Sequence, residues 1–101
     1  MSINVMVNGW NESDDIAVNA PDVSMSVSGL HQVLYAAGIE NKEAQGDSIS
    51  ADEIGDVIQK LKDLEKRIAG EPNKILLRAR AINFWAVLSF ANTRNRGAYW
   101  A

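Results

Sequence analysis

Residues 75–91 read ILLRARAINFWAVLSFA, and thirteen of these seventeen residues are apolar. Neither proline nor glycine occurs between 74 and 96, so the stretch predicts one helix over residues 74–96. At about 1.5 Å per residue such a helix is roughly 34 Å long, close to the full width of a domain of this size. Arg94 and Arg96 in the last turn, followed by Gly97, mark its stop. Ile75, Ala79, Ile82, Ala86 and Phe90 form one stripe at helical spacing. Leu77, Ala81, Trp85 and Leu88 form a second, with Leu76, Phe84 and Val87 between the two. A helix that is apolar on every side is normally buried on every side. A chain of 101 residues offers too few other elements to cover the whole circumference. Either this helix is the central element, held between a sheet and the preceding helix, or its outer face meets a second copy. For the second case the expected interface is Leu77, Ala81, Trp85 and Leu88. Five of the seven aromatic residues fall in this last part of the chain (Phe84, Trp85, Phe90, Tyr99, Trp100), and large aromatics are enriched at interfaces.

The same stretch does not read as a membrane span. Its most apolar part, residues 81–91, has eleven residues, includes Asn83 and Ser89, and is bracketed by Arg78, Arg80, Arg94 and Arg96. A span needs about 18 or more apolar residues. The start, MSINVMVNGW, lacks the basic region and long apolar run of a signal peptide. With no cysteine there is no disulfide, thiol nucleophile or thiolate metal site, which fits a reducing compartment, and a cytoplasmic location is expected.

Upstream, Ser50-Ala-Asp-Glu53 has the spacing of a capping box opening a second helix. Ile54, Val57, Ile58, Leu61, Leu64 and Ile68 make its apolar stripe, Asp56 and Lys60 its acid-to-base pair, and Gly70 its end. A shorter helix precedes it, with Ser28 as N-cap, Leu30, Val33, Leu34 and Ala37 on one face and Gly38 as stop. Before that, Ile3, Val5 and Val7 alternate with polar residues, as do Ile16, Val18 and Ala20, and then Val23, Met25 and Val27. The period of two predicts two or three short strands with one buried face. Residues 40–48 read as a polar loop, and residues 98–101 as an apolar tail able to add a strand. The expected architecture is therefore α+β: one domain over residues 1–101, with a small N-terminal sheet followed by three helices, the last long and central.

Charge divides the chain. Residues 1–71 contain all 13 acidic residues and carry a net −8, whereas residues 72–101 carry +5. The two parts can attract each other within the fold, between copies, or offer a basic surface to an anion. Arginines beside aromatics suit phosphate and base recognition, so Arg78, Arg80, Arg94, Arg96, Tyr99 and Trp100 are the candidate ligand-binding residues. A sequence pI near 5.0 argues against duplex DNA as the partner. Arg78 and Arg94 are sixteen residues apart, roughly 24 Å along one helix, so a shared pocket would need two chains.

Catalytic signals are few. His31 is the only imidazole, in the first turn of a short helix, and no serine lies in a nucleophile elbow. Glu12, Asp14 and Asp15 could gather around a hard cation, but Asp in a turn more commonly bonds its own backbone. The glycines are scattered, with no phosphate-binding loop among them. No metal, cofactor or enzymatic activity is expected.

The segment VSMSVSGLHQVLYAAGI and the ending NTRNRGAYW together resemble small uncharacterised phage and prophage proteins. The likeness covers about half the chain, which departs from it in Phe84-Trp85 and in the few acids of its last helix. It implies a small accessory protein of viral or mobile-element origin that acts by binding. The expected function is thus a non-enzymatic, self-associating binding protein that inhibits or sequesters a host component. The alternative is an oligomer that holds a small anionic ligand, such as a nucleotide, between arginines and aromatics at the subunit interface.

Overall fold

The computed structural model describes residues 1–101. The N-terminal alternation becomes strand β1 (Ser2–Val7), with Ile3, Val5 and Val7 buried and Ser2 and Asn4 facing out. It pairs antiparallel on one side with β2 (Val23–Ser26), in the register Ile3 opposite Met25. On its other side it pairs antiparallel with the C-terminal tail, β4 (Ala98–Trp100), with Met6 opposite Tyr99. β3 (Asp47–Ile49) lies antiparallel against β4, completing a four-stranded sheet in the order β2-β1-β4-β3. The class is α+β as expected, but the sheet is not confined to the N-terminal part: half its strands come from beyond residue 46.

Residues 16–20 are not a strand. Asp14–Asn19 form a short helix, α1, in which only Ile16 is buried and Val18 is 78% exposed. The helix is favoured locally: Asp14 and Asp15 occupy its positive first turn, and Asn19 donates to Asp15 one turn back, at 2.9 Å. Of the alternating set Ile16, Val18 and Ala20, Ile16 is buried and Ala20 packs against the core, and Val18 alone is left uncovered.

Helix α2 (Val27–Ala37) begins ahead of the expected place, because Ser26 rather than Ser28 is its cap, its hydroxyl accepting from the Gly29 N–H at 2.9 Å. Leu30, Val33, Leu34 and Ala37 are buried, and Gly38 closes the helix at φ 71°. In α3 (Ile54–Ile68) all six residues of the expected stripe are buried. The capping box forms reciprocally: the Ser50 N–H donates to Glu53 Oε1 at 2.9 Å, and the Glu53 N–H to Ser50 Oγ at 3.3 Å. Lys60 does not pair with Asp56. It reaches the Gly38 carbonyl at 3.3 Å, and Arg67 donates to the Ala36 carbonyl at 2.7 Å, so two cations of α3 cover the negative end of α2.

After a 3-10 turn at Pro72–Lys74, α4 runs over Ile75–Thr93. It packs against α2, α3, β1 and β2 and is the central helix. Its stop is Asn95, at φ 56°, with the Arg96 N–H bonded back to the Ala91 carbonyl at 3.0 Å. Gly97 serves the sheet instead. A Cβ there would collide with the Ile49 carbonyl oxygen, so its lack of a side chain lets β4 lie close to β3. Trp100 anchors this junction. It is fully buried, its indole N–H donates to the Glu43 carbonyl at 2.8 Å, and its ring meets Phe84 edge to face at 5.5 Å.

Of the two stripes on α4, the one assigned to an interface turns inward. Ala81 and Leu88 are core residues, together with Phe84, Val87 and Ala91, and Leu77 and Trp85 are half-buried. Ile75, Ala79, Ile82 and Ala86 face solvent instead, because sheet, α2 and α3 all lie on the opposite side of the helix. The two stripes are equally apolar, and only the position of neighbouring elements selects between them.

Candidate functional site

Three of the four arginines are held by the acidic part of the chain. Arg78 directs Nε and Nη2 onto Glu65 Oε1 at 3.0 and 2.7 Å. Arg94 pairs with Asp15 at 2.6 Å and lies over the Phe90 ring at 3.5 Å from its centroid. Arg96 donates to the Asn8 carbonyl at 3.0 Å and faces Glu12 at 4.0 Å. Three ion pairs thus join the acidic and basic parts of the sequence within one chain. Arg80 alone has no ion pair. It lies against Gly29 of α2, where an added Cβ would come within 2.8 Å of its Nε.

The aromatics expected beside these arginines do not join them. Trp100 is sealed in the core. Tyr99 lies on the open face of the sheet, its hydroxyl accepting from the Trp10 indole N–H at 2.9 Å. Arg78 and Arg80 belong to the first half of α4, Arg94 and Arg96 to the turn after it. The six candidate ligand residues therefore form no common pocket within the chain. Glu12, Asp14 and Asp15 do not converge either: no group of three potential metal ligands comes together, and Glu12 and Asp15 face arginines instead. His31 is exposed on α2, without a hydrogen-bonded carboxylate or hydroxyl partner.

Three carboxylates titrate below their ordinary range, each for a local reason. The Arg94 guanidinium and the Asn19 amide hold Asp15 down. The backbone N–H groups of Ser48 and Glu43 do the same for Asp47, and the Lys42 ammonium and Ser50 N–H for Glu53. All three stabilise turns or helix ends.

What the fold does expose is apolar surface. Around the start of α4, Ile75 is 70% exposed and Leu76 61%, and across a groove Tyr35 of α2 is 83% exposed. Lys74, Leu77 and Arg80 also line this groove, which contains no carboxylate. A second apolar cleft, of about 300 Å³, lies between α1 and β1, with Trp10 and Val18 exposed at it and Asp22 its only charged residue. Sequence reasoning identifies neither site. The available signal is Tyr35, an aromatic residue off the buried stripe of its own helix, and Leu76, between the two stripes of α4. Trp10 and Val18 sit in or beside a segment whose alternation imitates a strand. No helix is long and apolar enough to cross a membrane. In comparisons with known proteins no family model matches the chain, and no curated protein or solved structure matches it.

Proposed function

We propose that this chain is a non-enzymatic binding protein that associates with copies of itself through the N-terminal half of α4. One observation carries the reading: Ile75, Leu76 and Ile82 of α4 and Tyr35 of α2 remain in solvent although the chain's own core is complete. Tyr35 and Leu76 line one groove, and exposed apolar surface of this kind marks an interaction site. The dispersed arginines favour this reading over the nucleotide-holding alternative, since three of the four already neutralise the chain's own carboxylates. The resemblance to phage and prophage proteins supports an accessory role, in which an oligomer blocks or sequesters a host component inside the cell.

Leu76→Asp tests the surface. The side chain points into solvent, so stability should change by no more than about 0.5 kcal/mol, as for ordinary surface substitutions. Association, read by light scattering, should weaken at least tenfold. A variant that assembles like the parent would place the contact elsewhere.

A further inference from the structure

Self-association through the start of α4 requires a complementary surface on the second copy, and assigning that surface rests on the self-association itself. The groove at this end presents Tyr35 and Leu76 with two cations, Lys74 and Arg80, neither of them in an ion pair. The nearest acid in sequence, Glu71, lies on the other flank of the helix start, beside Pro72, Ile75 and Arg78. Apposing this groove with the same groove of a second copy would set cations against cations, which opposes binding. The complementary surface is therefore acidic and apolar.

Such a surface exists on the same molecule. The cleft between α1 and β1 has apolar walls, Val18 and Trp10 exposed at it, and Asp22 as its only charged lining residue. Asp14 is exposed on the same short helix, and neither Asp14 nor Asp22 is in an ion pair. The ion pair between Asp15 and Arg94 ties α1 to the far end of α4. The groove and the cleft thus lie at opposite ends of a helix roughly 28 Å long, too far apart to meet within one chain.

We propose that the α1 cleft of one copy receives Tyr35 of the next, with Lys74 and Arg80 facing Asp14 and Asp22 of that neighbour. A cleft of about 300 Å³ is ample for one phenol ring. The contact joins two different surfaces, so it is heterologous: repetition closes a ring or extends a filament, and does not stop at a two-fold dimer.

Two blocked chains test the arrangement. Tyr35→Ala combined with Leu76→Ser removes the inserting ring and the apolar residue that lines the groove with it, and leaves the cleft intact. Val18→Lys sets a cation at the cleft against Lys74 and Arg80 and leaves the groove intact. Native mass spectrometry should find the parent assembled beyond a dimer and each blocked chain monomeric. An equimolar mixture of the two should give a dimer of one of each and nothing larger. Either blocked chain assembling like the parent, or a mixture that stays monomeric, overturns the head-to-tail contact while self-association of the parent still stands. A parent that is itself monomeric removes both. If a blocked chain loses its helical circular dichroism, the exposed pair Lys74→Glu and Asp22→Lys replaces it. Each substitution alone should weaken assembly, mixing the two should restore the contact, and failure to restore it overturns the proposal.

Discussion

At the scale of single residues, the fold depends on a few positions whose constraints differ in how far they are visible in sequence. Gly97 is one whose sequence context misleads. It has the position of a helix stop, yet Asn95 supplies the left-handed residue and Gly97 supplies the close approach of β4 to β3. Gly97→Ala should therefore destabilise the protein by about 1–3 kcal/mol, the usual cost of overpacking a tight site. A denaturant midpoint equal to that of the parent would show that β3 can move away freely. The carboxylates set a pH dependence. Asp15, Asp47 and Glu53 all have folded-state pKa values below their unfolded ones. A depressed acid contributes stability that is complete above the unfolded pKa, at about 4, and is lost as pH falls through the folded value. The melting temperature should accordingly be flat with respect to these groups above about pH 5 and fall as acid is added below it. Added salt should reduce part of the effect, because the groups are near the surface. A melting temperature that rises on acidification would contradict the assignment.

At the scale of elements, legibility follows the number of residues that agree on one period. The stripe of α3 spans fifteen residues and has its own capping box, and every expected core position is buried. Ser50→Ala removes one half of that box. The loss should fall at the lower end of about 0.5–2 kcal/mol, because the bond from the Glu53 N–H is exposed and 3.3 Å long. An unchanged thermal melt would mean that the first turn holds without it. In α1, by contrast, three alternating residues are too few to distinguish a strand from a helical turn and a half, and Asp15, Asn19 and Arg94 decide in favour of the helix. β3 has three residues, two of them in the stretch that reads as a polar loop, and exists because β4 provides an edge to pair with, so its own composition does not reveal it. The inward stripe of α4 is undecidable from sequence for a related reason. Helix geometry defines both apolar stripes, and only the placement of the sheet, α2 and α3 determines which one is covered.

At the scale of the whole molecule, the chain is already compact: its radius of gyration of 12.9 Å matches the roughly 13 Å of a folded chain of about 100 residues. The acidic and basic parts of the sequence meet mainly inside it, through Arg78 with Glu65, Arg94 with Asp15 and Arg96 with Glu12. Beside the charges that stay unpaired, the start of α4 exposes apolar surface, with Lys74 and Arg80 next to it to orient a partner. Sequence indicates an excess of apolar residues on the last helix but points to the stripe that the core uses. The exposed residues that replace it, Ile75, Leu76 and Ile82 with Tyr35, gather around the first half of α4 and are the basis of the proposed self-association. Sedimentation velocity across a concentration series measures that association directly. The account predicts a weight-average mass that climbs above the 11.1 kDa of the chain as concentration rises. A mass that stays at 11.1 kDa throughout the series would contradict it.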